Sequence, residues 1–427
     1  MASDHFVRPF IPVNAAQRTA PAVPRARSHP LAGRTILQII PELDAGGAER
    51  TAIDVAAGLA EVGARPLVAS EGGRLVGELQ AHGGVWVPFP AATRNPLAML
   101  LNVRRLARVA FDERACLIHA RSRAPAWVAL GASRALGLPF VTTYHGSYSG
   151  RSAPKRLYNS VMARGDAVIA NSSYTADLIR SSYGIGEDRL VTIPRGTDFS
   201  SFNPASVSSE RVDGLRRAWD VAPHERIVLL AARLTSWKGH RVLIEAAARL
   251  RARGQRDIVY VLAGDPQGRD SYVRDLDRLV VENGLEGAVR RVGHCTDMPA
   301  AFMAASVVTV PSTEAEAFGR SAVEAQALGT PVVVSDLGAV PETVLAPPDV
   351  PASARTGWRV PPDDPDALAG AIEAALGLGA SAHDALAARA RAHVETRFSL
   401  AGMVGRTLDV YASLIDARNG SSMREQP

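Results

Sequence analysis

The chain of 427 residues contains only two cysteines, Cys116 and Cys295. That excludes a disulfide framework and a cysteine-based metal cluster. Both lie in strand-like contexts and read as buried thiols. Lysine is as scarce. Of 48 basic residues only Lys155 and Lys238 are Lys, and the rest are Arg. Where Lys stands against that bias, a compact ammonium is expected to serve where a planar guanidinium would not. Long apolar runs are missing as well. A stretch such as Ile227–Ala232 is strand-sized, far short of the roughly 18–20 residues that cross a bilayer, so an integral membrane protein is excluded. Residues 1–33 hold five prolines and four arginines and no apolar core. They read as a flexible extension and not as a secretory signal.

What is present is a sequence rich in core material. It is 47% hydrophobic and 21% charged, which rules out a disordered or fibrous chain. The net charge of +5 is unevenly spread. Residues 34–205 carry 19 basic and 14 acidic side chains, net +5, and residues 206–390 carry 20 and 24, net −4. A basic first half suits an anionic partner such as phosphate groups or a membrane surface. The charge is too dispersed for a nucleic-acid binder, so no nucleic-acid partner is expected.

Short β-rich runs alternate with longer amphipathic ones. In the first half the strand candidates are Thr35–Ile40, Pro66–Ala69, Val85–Val87, Cys116–His119, Phe140–Tyr144, Ala167–Ala170 and Leu190–Ile193. The rhythm breaks over the Ser-rich residues 199–224 and restarts at Arg226–Ala231, Ile258–Ala263, Val289–Val292, Val307–Val310, Pro331–Ser335 and Trp358–Val360. Helix-like stretches between them imply two doubly wound, Rossmann-like α/β domains facing a central cleft. The expected division is an extension at 1–33, a first domain at 34–205 and a second at 206–395. A C-terminal helix at 396–416 would pack back on the first domain, and 417–427 would be a flexible tail. The hinge falls near 200–224. In such folds ligands bind outside the carboxyl ends of the strands, so residues just after strands are the candidates.

Gly46–Gly47 follows the first strand and opens a helix, as an anion-binding loop or a plain tight turn would. Arg233 and Lys238, in AARLTSWKGH, follow the first strand of the second domain. Two cations there suit a diphosphate, or a solvated loop. Glu316 and Glu324 are eight residues apart in EAEAFGRSAVEAQALG, with Phe318–Gly319 at the helix start, where backbone N–H groups can hold an oxyanion. Ordinary helix-start acids give the same pattern, and Glu314 reads as surface charge. His145 ends a strand in VTTYHGSY, placed for a ligand or for a structural bond. Tyr144 and Tyr148 read as packing or rim residues. Arg121, Arg123, Asn171, Ser172 and Arg195 also follow strands, and Asp198 reads as a brace for the hinge. The stretch Leu97–Phe111 sets Leu100, Leu101, Val103, Leu106 and Val109 against Arg104, Arg105 and Arg108. It reads as a sheet-covering helix with a solvated basic face, or as a helix lying on a membrane.

Together these motifs resemble the retaining glycosyltransferases of family 4, with the GT-B fold, over roughly residues 34–415. RLTSWKGH is similar to the family's Arg-x4-Lys-Gly element at Arg233, Lys238 and Gly239, and EAFGRSAVE to its Glu-x7-Glu signature. AGGAE, YHG and IPRGTD resemble first-domain elements at Gly46, Gly47, His145 and Gly196–Asp198. Arg195 departs from the Asn that many members carry. The resemblance implies a nucleotide-diphospho-sugar donor, UDP before GDP, held mainly by the second domain. Arg233 and Lys238 would neutralise its diphosphate, and Glu324 would hold the ribose. Glu316, with the Phe318–Gly319 backbone, would hold the sugar, and His145 and the Gly46–Gly47 loop would close over it. It implies retention of configuration by front-face displacement. The expected acceptor is a glycan of the cell envelope, of polysaccharide or lipopolysaccharide type, or a lipid-linked saccharide. The expected location is the cytoplasm, with peripheral contact to the inner membrane. No Asp-x-Asp clamp follows a strand, so no metal and no cofactor are expected. A hydrolase or 2-epimerase of the same fold, and a non-catalytic nucleotide-sugar-binding partner, are the alternatives.

Overall fold

The computed structural model describes residues 29–44, 46–146 and 152–424, and for 419–424 the backbone alone. Tyr148, most of the N-terminal extension and residues 425–427 lie outside the described residues.

The first domain holds seven parallel strands: β1 Thr35–Ile39, β2 Arg65–Ser70, β3 Val85–Pro88, β4 Ala115–Ala120, β5 Phe140–Tyr144, β6 Ala167–Ala170 and β7 Leu190–Thr192. Their order is β3-β2-β1-β4-β5-β6-β7. The second holds β8 Arg226–Ala231, β9 Ile258–Ala263, β10 Val289–Gly293, β11 Val307–Val310, β12 Val332–Ser335 and β13 Trp358–Val360, in the order β10-β9-β8-β11-β12-β13. Both sheets reverse direction beside their first strand, at β1/β4 and β8/β11. That switch point opens a crevice at the carboxyl ends. Central strands such as Ile227–Leu230 and Val332–Val334 are buried throughout. Sheets covered by helices on both faces require such unbroken apolar runs.

The segment 199–224 is not an open linker. Pro204–Ser206 is a 3₁₀ turn and Ser209–Ala218 is a helix. Val207, Trp219 and Val221 are buried in the second-domain core with Phe302 and Ala305. Of its serines, Ser208 caps the helix, its hydroxyl accepting from Arg211 N–H. The crossing between domains lies just before, where Thr197 bridges Ser399 in parallel. Thr197 N–H donates to Phe398 O at 2.8 Å and Leu400 N–H to Thr197 O at 3.0 Å. Outgoing and returning chains thus cross side by side. Gly196 permits it, since a Cβ there would lie 2.5 Å from the Leu400 Cα.

The last helix runs Leu400–Arg424, beyond the end expected at 416. It packs on the first domain through Met403, Leu408, Tyr411 and Ile415, alongside Leu31 and Ile36. Leu31 is fully buried, so the end of the expected extension is part of the core. Cys116 and Cys295 are half-buried free thiols, not buried ones.

One polar system runs through the first-domain core. The Tyr411 hydroxyl lies 2.5 Å from His119 Nδ1, and His119 Nε2 lies 2.8 Å from the Thr143 hydroxyl. Beside them the buried Arg121 donates through Nε to Gln38 Oε1 at 2.8 Å. Burial, with Arg121 and His145 adding, holds the His119 ring well below its ordinary 6.5. The unfolded chain therefore takes up a proton below that pH which the native chain refuses. The native state loses stability as pH falls through this window. In urea denaturation between about pH 7.5 and 5.5, His119→Gln is expected to flatten the fall in unfolding free energy by up to about 1.4 kcal/mol per pH unit. Asp54, raised to about 6 by burial, works in the opposite sense, so Asp54→Asn is the background of choice. Tyr411→Phe, which leaves buried groups unpaired, is expected to cost about 1–3 kcal/mol near neutral pH.

Candidate active site

The donor side of the cleft is built by two loops that must touch. After β8 the chain makes a 3₁₀ turn, Ser236–Lys238, and reverses at Gly239, whose φ is +74°. A Cβ on Gly239 would sit 1.7 Å from the Pro311 carbonyl oxygen, so only glycine lets this loop press against the end of β11. Thr313 N–H donates to Trp237 O at 2.8 Å and fixes the two loops together. The contact delivers Lys238 Nζ to Glu316 Oε1 at 2.5 Å, and Ser312 Oγ donates to the same oxygen at 2.6 Å. Lys238 Nζ also lies 4.2 Å from the Trp237 ring centroid. Both partners of this ion pair are largely buried. Gly338 plays the same part on the other flank. A Cβ there would lie 2.4 Å from Glu316 O, and Ala339 N–H donates to that oxygen at 2.9 Å.

Gly319, with φ +84°, turns the chain into the helix Arg320–Ala327. The Phe318 side chain is core, edge-on to Phe398 at 5.3 Å between ring centroids, so only its backbone is available to a ligand. Glu324, one turn in, is buried and accepts from Arg320 Nε at 2.6 Å. Arg233 is exposed, and its side chain makes no hydrogen bond or ion pair among the described residues. Glu314 is exposed.

The first-domain side gathers around a residue whose role the sequence left open. Arg195 Nη2 donates to His145 O at 3.1 Å and lies 3.2 Å from His145 Nδ1. A guanidinium can only donate, so Nδ1 accepts and the ring proton sits on Nε2. Nε2 is buried and has no partner among the described residues, which leaves an N–H to offer a ligand oxygen. Burial, with Arg195 and Arg121 adding, holds the His145 ring well below the usual imidazole range, so it stays neutral near pH 7. Arg195 also presses on the glycine loop, where a Cβ on Gly47 would meet Nη1 at 2.1 Å. Gly46–Gly47, His145 and Arg195 thus form one assembly. The signal for Arg195 was its place after β7.

A further residue, not among the sequence candidates, joins the domains. Glu342 Oε1 and Oε2 accept from Tyr174 N–H at 2.7 Å and Ser173 N–H at 2.8 Å. A second-domain carboxylate therefore caps a first-domain helix, Ser173–Tyr183, at its positive end. Burial raises the Asp54 carboxyl, on the helix Gly47–Glu61, to about 6, against the opposing charge of Arg320. Asp198 accepts from Ser200 Oγ and Ser201 Oγ, both at 2.6 Å, and braces the crossing turn. Ser172 caps its helix by accepting from Thr175 N–H at 3.0 Å. Tyr144 is buried packing. Among the described residues no three His, Cys, Asp or Glu side chains cluster to hold a metal ion.

The buried pair makes a distinctive prediction. Lys238→Met strands the Glu316 carboxylate and is expected to cost about 3–5 kcal/mol in urea denaturation. Adding Glu316→Leu is expected to restore most of that loss, because the uncompensated charge is gone. Equal destabilisation in the single and double variants would contradict the pairing.

Comparison with known proteins gives the arrangement its context. Residues 45–201 match the family model Glycosyltransferase Family 4, and residues 225–377 match Glycosyl transferases group 1. The D-inositol 3-phosphate glycosyltransferase 1 of Catenulispora acidiphila is 31% identical over 325 residues, covering 71% of this chain and 73% of the relative. The D-inositol 3-phosphate glycosyltransferase of Jonesia denitrificans is 32% identical over 241 residues, 55% of this chain, so the match spans only 54% of that relative's length. Among solved structures, a glycosyltransferase from Rickettsia africae superposes with TM-score 0.80 at 32% identity, covering 90% of this chain and 98% of that one. Anabaena HepE, in complex with UDP and glucose, superposes with TM-score 0.77 at 26% identity, covering 88% and 99%. The chain belongs to the GT-B glycosyltransferases in which a Family 4 domain precedes a group 1 domain.

Proposed function

We propose that the protein transfers a hexose-type sugar from a nucleotide-diphospho-sugar, UDP ahead of GDP, with retention of anomeric configuration. The observation that carries the reading is the Lys238–Glu316 pair, at 2.5 Å on the second-domain lip of the cleft. An ammonium meant for a leaving phosphate and a carboxylate meant for the sugar are set side by side there. The binding of UDP and glucose named for Anabaena HepE supports a uridine donor.

In this reading Arg233 and Lys238 take up the negative charge that grows on the departing diphosphate. Glu324 holds the ribose hydroxyls. Glu316 and the Phe318–Gly319 backbone orient the sugar. From the first domain, neutral His145 donates its Nε2 proton to a sugar or phosphate oxygen, and the Gly46–Gly47 loop closes over the donor. Arg195 positions both. The barrier is mainly the separation of an oxocarbenium-like sugar from an anionic leaving group, and fixed cations and dipoles address that charge directly. The leaving phosphate accepts the acceptor's proton on the same face, so no protein nucleophile is required. Metal-free turnover is part of the proposal.

The acceptor is proposed as a cell-envelope glycan or lipid-linked saccharide, used on the cytoplasmic side. The name shared by the relatives, D-inositol 3-phosphate glycosyltransferase, favours a second reading, a phosphorylated polyol. Arg121, Arg123 and Arg195, on the carboxyl side of the first sheet, suit such an anion.

The test is turnover of UDP-glucose and GDP-mannose with inositol phosphate and with lipid-linked saccharides, following the product anomer by NMR. The expected result is acceptor-dependent nucleotide release, an α-linked product and no loss with EDTA. Lys238→Ala and Glu316→Ala should each lower kcat by about 10²–10³. Equal nucleotide release without acceptor would mark a hydrolase, and binding without release a non-catalytic partner.

A further inference from the structure

The helix Pro96–Asp112 has apolar residues on its outward side as well as on its inward one. Its inward residues are Asn102, Leu106 and Ala110. Outward, at spacings of four and three, stand Leu97, Leu101, Arg104, Arg108 and Phe111, with Leu100 beside them. Leu97 is 76% exposed, Leu100 66%, Leu101 54% and Phe111 71%. The expected division of leucines inward and arginines outward therefore fails for Leu100 and Leu101. Asn102, Leu106 and Ala110 are buried and Met99, Val103, Ala107 and Val109 pack half-buried against the core, while three leucines and a phenylalanine face solvent among the arginines.

The charge on this face is mainly positive, with the acid Asp112 at the helix end. From Arg94 to Phe111 there are four arginines, Arg94, Arg104, Arg105 and Arg108, and no acid. Arg94 and Arg104 form no ion pair among the described residues. Arg105 donates to Asn102 Oδ1 at 3.3 Å, and Arg108 lies 3.6 Å from Asp112 at the helix end. A second surface helix has a similar composition. The helix Ala153–Asn159 meets Arg123–Leu136, where Trp127 Nε1 donates to Tyr158 O at 3.1 Å. It exposes Leu157, 61% accessible, next to the exposed Lys155 and Arg156. No helix among the described residues is long and apolar enough to cross a membrane, so these side chains serve a surface contact.

We infer that this outward face, Leu97, Leu100, Leu101 and Phe111 with Arg104 and Arg108, docks on an anionic lipid bilayer. Apolar side chains of this length reach the acyl boundary while arginines stay at the headgroups, the arrangement of an interfacial helix. Unbalanced positive charge supplies attraction to anionic lipid within a Debye length. The inference does not depend on the donor or on the chemistry of transfer. It places the protein where a lipid-linked acceptor would be met.

The experiment is flotation of the full chain with vesicles of phosphatidylcholine alone and of phosphatidylcholine with phosphatidylglycerol. Binding is expected only to the anionic vesicles, and is expected to weaken as salt rises. Leu100→Glu with Leu101→Glu should cut the bound fraction by about tenfold or more, and so should Arg104→Glu with Arg108→Glu. Phe111→Ser should cut it less. All are surface changes, so thermal melts and nucleotide-sugar binding in solution should match the parent chain. No binding to anionic vesicles would overturn the inference, and so would binding that the leucine variants keep. Light scattering that shows a dimer in the parent and a monomer in the leucine variants would overturn it as well, by assigning the face to a second copy of the chain.

Discussion

An ammonium and a carboxylate can both leave water only if each lies within hydrogen-bond reach of the other and of further polar groups. Lys238 and Glu316 meet that condition across 78 residues of sequence. Much of the second domain's cleft edge follows from it. The loop after β8 must contact the loop after β11, so Gly239 must lie against Pro311. The other side of the Glu316 turn must lie against Gly338. Glycine at both flanks is a steric requirement, because a Cβ at either would enter a backbone oxygen. The pair is thus held from both sides before any ligand arrives, which electrostatic preorganisation requires.

The first domain supplies a different environment. Its carboxyl edge carries Arg121, Arg123 and Arg195, and His119 and His145 are kept neutral by burial, with Arg121 acting on both rings and Arg195 on His145. Neutral His145 can donate a proton toward a ligand oxygen without adding net charge. The domains also grip each other directly, through Glu342 at the start of the helix Ser173–Tyr183 and through the paired crossing at Thr197 and Ser399. The last helix ties the circuit closed by placing the Tyr411 hydroxyl in the first-domain core beside His119.

The second half of the sequence made the candidate site legible because its motifs are local. Arg233, Lys238, Glu316 and Glu324 stand at fixed offsets from strand ends, and strand ends are visible as apolar runs. The Ser-rich segment before β8 was legible only as a break in the strand–helix rhythm, because Trp219 and Val221 enter a core that no window of sequence contains. The role of Arg195 was equally hidden, because its partners His145 and Gly47 lie about 50 and 150 residues away along the chain and meet it only when β5 and β7 are folded into one sheet.

The sequence by itself determined the two doubly wound sheets, the strands that build them and the residues poised at their carboxyl ends, because apolar period and glycine placement are properties of short windows. Tertiary structure alone decided which of those residues meet. Loop contact set the pairing of Lys238 with Glu316, and Arg195 set the tautomer of His145. Packing set which side of the helix Pro96–Asp112 faces water: Leu106 went inward with Asn102 and Ala110, and Leu97, Leu100 and Leu101 were left outside.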